Sequence, residues 1–305
     1  MRDVHAITLR RLTACLVVML PFAALLCDPS PGLAVSILGT AGDFAVLAGS
    51  EVTNTGSTTI LGSGNVGVTP GTSIVPGATE FTFGTGTTHS ADGVAQQARI
   101  DAFTGTAPIS AFSFLAGLSG ATSLSGQVLG TGGTILTLNP GVYSFSSSAQ
   151  LTGALTLNNQ GNNNAVFVFQ IGSTLTTAPG ASVLMTGAGT GAGLFWVVGS
   201  SAMLDTTTSF EGNILAATAI TLNTGATIGC GSALARDAAV TLDTNTIGVG
   251  CAGGFQSVVG DTFALVGPGP VGGGDLAATP EPSTLFLFGS SLVGVGALWR
   301  GYRHS

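Results

Sequence analysis

Three phrases late in the chain share one layout: Leu204-Asp205-Thr206-Thr207-Thr208-Ser209-Phe210, Leu222-Asn223-Thr224-Gly225-Ala226-Thr227-Ile228 and Leu242-Asp243-Thr244-Asn245-Thr246-Ile247. Their starts lie 18 and 20 residues apart, and none carries a basic side chain. A looser copy runs from Leu175 to Val183, and another lies far upstream from Thr53 to Ile60. Short strands of β-branched residues, punctuated by Gly and Asn at such a period, predict successive rungs of a β-solenoid. One rung cannot bury its apolar row alone, so the rungs must stack.

Two runs, AVFVFQIG at 165–172 and GLFWVVGS at 193–200, are almost wholly apolar and predict strands buried on both sides. Something must then cover their outer face. The stretch SADGVAQQARIDAF, 90–103, supplies it: Ala91, Val94, Ala95, Ala98 and Ala102 recur at helical spacing and make one smooth stripe. Ser90 is the expected N-cap, and Gly93 weakens the helix by roughly 1 kcal/mol. Residues 104–133, rich in Gly and Ser, predict no definite element, and Asn139-Pro140-Gly141 predicts a turn back into strands.

The two ends have a different character. Arg2, Arg10 and Arg11, followed by LTACLVVMLPFAALL and Gly32-Leu33-Ala34, read as a secretory signal over 1–34. Near the other end, a Gly/Pro-rich stretch leads to Pro280-Glu281-Pro282, the apolar run LFLFGSSLVGVGALW, then Arg300 and Arg303. That run falls short of the roughly 20 residues of a comfortable membrane span, so it is either a short anchor or a processing signal. The order of Pro-Glu-Pro, apolar helix and Arg tail resembles the PEP-CTERM sorting signal of Gram-negative bacteria. The resemblance implies recognition by an exosortase after signal peptidase has acted, removal of the helix and delivery to the surface or matrix; the membrane anchor is then transient, whereas on the plain anchor reading it is permanent.

Between these ends, residues 35–279 hold eleven acidic residues against Arg99 and Arg236, and the whole chain has no Lys. Nucleic-acid binding is thereby excluded, because neutralising phosphates needs a basic patch. Cys230 and Cys251 remain once the signal is removed. In an oxidising compartment they can bridge and tie down the last coils, or they stay as two buried thiols.

Several long phrases carry a second resemblance: LGTAGDFAVLAGSEVTNTG at 38–56, PGVYSFSSSAQLTGALTL at 140–157, AVFVFQIGSTLTT at 165–177, FEGNILAATAITLNTGAT at 210–227 and ALARDAAVTLDTNTI at 233–247. In this order they resemble the microbial ice-binding protein family. The resemblance implies a mostly β fold: a right-handed discontinuous β-solenoid of triangular cross-section, with one α-helix packed alongside. It also implies that the segment at 53–60 stacks among coils formed much later in the chain. The expected organisation is a signal peptide at 1–34, the solenoid domain at 35–254, a linker at 255–279 and the sorting signal at 280–305. Family members bind ice through a flat face bearing a loose Thr-Ala/Gly-any-Thr/Asn phrase. Thr55 with Thr58 and Thr224 with Thr227 match it well here, whereas Thr177, Thr206 with Ser209, and Thr244 match in part.

The chemistry of these residues stands apart from the resemblance. Rungs lie about 4.8 Å apart and alternate residues along a strand about 6.6–6.8 Å apart, so aligned Thr side chains make a two-dimensional grid. Threonine is stiff at χ1 and presents a methyl group beside a hydroxyl that donates and accepts. Such a grid holds ordered water, or ice, at little further entropic cost. Thr is also simply a good strand residue. Strict alternation would turn Thr224 inward with Leu222, and only a corner near Thr224-Gly225 lets Thr224 and Thr227 both face water.

Asp205, Asn223 and Asp243 follow the leading Leu of each phrase and are expected to be turn-forming, hydrogen-bonding residues rather than a calcium ladder. His89 is the one histidine between the ends, so no metal site, cofactor or Ser-His arrangement can be assembled. The expected function is a secreted or surface ice binder rather than an enzyme. The alternative is a structural or adhesive protein of the cell surface or exopolysaccharide matrix.

Overall fold

The computed structural model describes residues 36–75, 80–105, 110–187 and 193–251, with the backbone of 255–258 and 262–265. The expected signal peptide and the sorting motif with Pro280, Glu281 and Pro282 lie outside the described residues. The expected linker is described only in part, and there Phe255–Val258 and Thr262–Leu265 pair antiparallel.

The chain winds through three parallel sheets, which form faces A, B and C of a triangular β-solenoid. A typical coil places Asn213–Ala216 on face A, Ile220–Leu222 on face B and Thr227–Ile228 on face C. The repeated phrases fall into register as stacked rungs. Leu204 pairs with Leu222 and Leu222 with Leu242, all three fully buried. Phe210, Ile228 and Ile247 form a matching buried row on face C.

The stacking order is discontinuous. Phe44–Ala48 lies between Ala233–Ala235 and Asn65–Val68. Glu51–Thr55 lies between Val240–Asp243 and Ser73–Val75. Thr58–Leu61 in turn joins Thr246–Gly248 to Phe81–Phe83. The N-terminal coils therefore complete a stack whose other members come some 190 residues later in the chain, as the Thr53–Thr241 separation of 188 shows.

Face A is apolar on both sides. Inward, Tyr143, Phe169 and Trp196 stack, with ring centroids 5.5 and 3.9 Å apart. Trp196 donates its ring N–H to the Glu211 carbonyl at 3.0 Å and Tyr143 its hydroxyl to the Asn139 carbonyl at 2.6 Å, which satisfies both polar atoms of the stack. Outward, Val166, Val168, Phe195, Val197, Leu215 and Leu234 meet Ala95, Ala98, Ala102 and Phe103. Burying each such Val, Leu or Phe is worth about 1.5–3 kcal/mol, so the cover belongs to the fold and is no mere surface decoration.

That cover departs from the sequence reading in four ways. The helix is α-helical only over Gly93–Arg99 and then widens into a π turn, Ile100–Thr104. Its cap is Asp92, whose carboxylate accepts the Ala95 N–H at 2.9 Å. Ser90 is still in the strand Thr88–Ser90 and donates instead to the Thr72 carbonyl at 2.7 Å. The expected stripe is also narrower, since Val94 is 49% exposed. Finally, a short helix, Ala111–Ala116, lies in the stretch for which composition predicted none, and its Ala111 and Leu115 extend the cover.

Candidate functional site

With face A covered, faces B and C and the corner between them remain as surfaces. The corner forms because one residue per rung adopts the left-handed conformation. Among the described residues these include Gly153, Gly180, Thr207, Gly225, Thr244 and Gly56, with φ between 54° and 76°. They stack through backbone hydrogen bonds: Gly180 N–H to Thr206 O (2.9 Å), Thr207 N–H to Thr224 O (3.1 Å), Gly225 N–H to Asp243 O (3.1 Å) and Thr244 N–H to Thr55 O (2.9 Å). Glycine adopts this conformation freely, whereas a β-branched residue is strained in it. Thr207 and Thr244 hold it nonetheless, and both side chains are exposed.

The chain therefore turns at Thr224-Gly225, which decides the orientation left open by alternation. Ala226 points inward and is fully buried, Thr224 is exposed, and Thr227 lies half-buried on the outer side of face C. The Thr224 hydroxyl donates to Asp243 Oδ2, and the Thr244 hydroxyl to Asp243 Oδ1 at 3.1 Å. Asn223 donates its amide to Asp205 at 3.0 Å. That bond, followed by the Thr206 N–H, holds the Asp205 carboxyl below its ordinary pKa. The row of Asp and Asn residues thus organises the corner internally.

The eight Thr and Ser candidates do not share one surface. Thr55, Thr206, Thr224 and Thr244 follow the corner, and Ser209 stands exposed on face C beside Thr227. Thr58 and Thr177 are corrections, because they are 0% and 4% exposed and cannot meet a partner. Each occupies an inward position of its strand. Thr58 donates to Asn54 Oδ1 at 2.7 Å and accepts the Asn245 N–H at 3.2 Å. Thr177 shares a hydrogen bond with Thr208 at 2.8 Å and accepts the Asp205 N–H at 2.8 Å. These hydroxyls satisfy the polar interior of the bend, and among the described residues no buried side-chain polar atom lacks a partner.

The phrase pattern missed the more regular array. Along face B the outward residues at the centre of successive strands are Gln150, Thr176, Met203, Thr221, Thr241, Thr53 and Val75, in register from rung to rung. Thr53 donates to Thr241 at 3.2 Å across the discontinuity. The row carries no charge. Its signal was present in the alternation itself: where Ile220 and Leu222 point inward, Thr221 must point outward.

Face C has a hydroxyl row too, Thr82, Thr59, Thr246, Thr227, Ser209 and Ser182. Beside it the surface is uneven. Leu61 and Leu184 protrude at 46% exposure, and between them a cavity of about 580 Å³ opens, lined by Ser209, Glu211, Gly229 and Cys230 among others. Face B has exposed apolar side chains of its own in the row, Met203 at 40% and Val75 at 50%.

Cys230 and Cys251 are joined, with Cα atoms 5.4 Å apart. Glu211 lies beside them and accepts the Cys230 N–H at 2.8 Å, while burial raises its pKa. His89 is no candidate catalyst. It bonds Asp92 at 2.7 Å, and its ring lies 5.5 Å from that of Phe44.

The family model described as ice-binding-like matches residues 46–248, which cover all three faces. The chain belongs to the ice-binding-like family. A second model, the PEP-CTERM protein-sorting motif, matches residues 278–303 and marks a chain for export and sorting to the surface of Gram-negative bacteria. An ice-binding protein of Nostoc sp. (strain HG1) is 52% identical over 190 residues, 62% of this chain and 64% of that protein. The chain thus spans under two thirds of that relative's length. Ice-binding protein K3-B1 of Typhula ishikariensis is 33% identical over 195 residues, 60% of this chain and 78% of that protein. Among solved structures, an ice-binding protein from an Antarctic biological consortium matches with a TM-score of 0.61 at 42% identity, covering 71% of this chain and 91% of that one. The ice-binding-like family is one of ice-binding proteins and not of enzymes.

Proposed function

We propose that this chain is an exported, non-enzymatic ice-binding protein that adsorbs to ice through face B. The observation that carries the reading is the uncharged outward row of Thr176, Met203, Thr221, Thr241 and Thr53, held in register on a sheet that no helix among the described residues covers. Its hydroxyl and methyl groups repeat with the rungs, about 4.8 Å apart, and cannot rearrange because the core behind them is packed. Water ordered on such a surface loses little further entropy when it joins ice, so many weak contacts add up. Thr55, Thr206, Thr224 and Thr244 extend the surface along its corner edge, and the strained backbone at Thr244 favours a role for its hydroxyl. Ser209 and Thr227 belong to the neighbouring face and contribute less.

Residues 1–34 act as a leader removed by signal peptidase, 35–254 as the binding domain, 255–279 as a connector and 280–305 as a sorting signal read by an exosortase. The sorting motif at 278–303 also supports a second role. A surface-held solenoid of this kind would tether a cell to ice or contribute to an exopolysaccharide matrix.

The deciding experiment measures thermal hysteresis and recrystallisation inhibition for residues 35–279 and two variants. Thr221→Lys with Thr241→Lys places two bulky hydrated charges at the centre of face B and is expected to abolish most of the activity. Thr227→Lys, on face C, is expected to retain it. Loss in the face C variant with retention in the face B variant would overturn the assignment of the face. No activity in the parent protein, with binding to exopolysaccharide, would favour the matrix role instead.

A further inference from the structure

The cavity on face C brings together three donors that the sequence reading did not combine: the Glu211 carboxylate and the sulfurs of Cys230 and Cys251, all within 4.8 Å of one another. Met185 adds a thioether, its sulfur 3.9 Å from that of Cys251. All three residues are half-buried, and they line a cavity of about 580 Å³ through which an ion and a water could enter. In the disulfide neither sulfur is a thiolate, so neither can serve as a ligand.

The backbone that places these donors is held by hydrogen bonds as well as by the sulfur–sulfur bond. The Cys230 carbonyl accepts the Gly212 N–H at 2.7 Å, and its own N–H donates to Glu211 at 2.8 Å. The Cys251 carbonyl accepts the Leu194 N–H at 2.9 Å and the Asn213 amide at 2.8 Å. Hydrogen bonds to Glu211, Gly212, Asn213 and Leu194 thus anchor both cysteines on adjacent coils in addition to the sulfur–sulfur bond. Two thiolates, one carboxylate and an open position form a donor set suited to a tetrahedral zinc-like cation, and the nearby thioether biases the site further toward thiophilic ions.

We propose that Cys230, Cys251 and Glu211 form a binding site for a thiophilic divalent cation such as Zn²⁺, which alternates with the disulfide. Opening it requires a dithiol. The dithiol gives two protons and two electrons to the protein disulfide and leaves as its own cyclic disulfide; the two cysteine thiols so formed lose their protons when the ion binds. The chain thus has two ways to clamp its last coil, one for oxidising and one for reducing surroundings, and neither touches face B.

The test uses the exported chain, residues 35–279, reduced with dithiothreitol, desalted without oxygen and titrated with Cd²⁺ and then Zn²⁺. One equivalent of Cd²⁺ per chain is expected to give a thiolate-to-cadmium absorption band, absent from the oxidised protein and displaced by Zn²⁺. Glu211→Gln is expected to keep the band but weaken affinity about tenfold or more, and Cys251→Ser is expected to abolish it. Asp205→Asn, on the acidic row of the corner, is expected to leave binding unchanged. Circular dichroism follows the fold throughout. If reduction unfolds the chain, one equivalent of Zn²⁺ is expected to restore it. The site is overturned by the absence of a band in a folded chain with two free thiols, by a band that survives Cys251→Ser, or by an unfolded reduced chain that Zn²⁺ does not rescue.

Discussion

At Thr58 the hydroxyl is engaged on both sides, donating to Asn54 and accepting the Asn245 N–H, whereas at Thr59 the next side chain faces outward on face C. Asn245 continues the same interior network, donating to the Asn223 and Ala226 carbonyls at 3.0 and 2.9 Å. Thr58→Val keeps the shape but leaves Asn54 Oδ1 and the Asn245 N–H without these partners in a buried site. The expected cost is about 1–3 kcal/mol, read as a lowered denaturant midpoint with hysteresis per folded molecule unchanged. A variant as stable as the parent that has lost its hysteresis would mean that Thr58 acts at the surface after all. The residue scale is also where the sequence was hardest to read. A Thr-x-x-Thr phrase crosses the corner, and the single left-handed residue there breaks the alternation that elsewhere tells inside from outside. Thr58 and Thr177 therefore look like Thr224 and Thr227 in the phrase and differ only in the fold.

Elements were more legible, because their signals are longer than one corner. Leu204, Leu222 and Leu242 announce stacked strands by period alone, and the apolar runs at 165–172 and 193–200 announce a sheet that needs a cover. The exact start of that cover was not readable. Ser90 and Asp92 are both good caps, and pairing of Thr88–Ser90 with Asn65–Val68 retains Ser90 in the sheet. Asp92 then takes the cap, and its pKa is lowered by the Ala95 N–H first, with His89 also contributing. Because the folded-state pKa lies below the unfolded one, this carboxylate stabilises the fold above its unfolded value and stops doing so as pH falls through the folded value. Asp92→Ala is expected to cost about 1 kcal/mol at neutral pH, with parent and variant melting points converging as pH drops below the ordinary Asp range. Melting curves from neutral to acid pH check this, and a gap that persists undiminished in acid would rule out the capping charge as its source.

For the whole molecule the discontinuity matters most, and periodicity could not reveal it: a repeat gives the spacing of rungs and not the order in which distant ones stack. The early strands Phe44–Ala48, Glu51–Thr55 and Thr58–Leu61 close the edges of the last coil, so face B is continuous only when both halves of the chain are in place. Thr53 and Thr241, the pair that meets at this seam, both belong to the outward row of the proposed ice surface. The last coil is thus held from one side by early strands and at its end by the bond between Cys230 and Cys251, which closes a loop with a sequence separation of 21. A loop of that size corresponds to about 3 kcal/mol of stabilisation through the unfolded chain. Cys251→Ser in metal-free buffer is accordingly expected to lower the urea midpoint of residues 35–279 in one cooperative transition. Hysteresis at ice temperatures should be unchanged, since the strands of face B retain their partners on both sides. Two separated transitions would show that the last coil melts by itself, and the seam would then be a weak joint rather than a part of the common core.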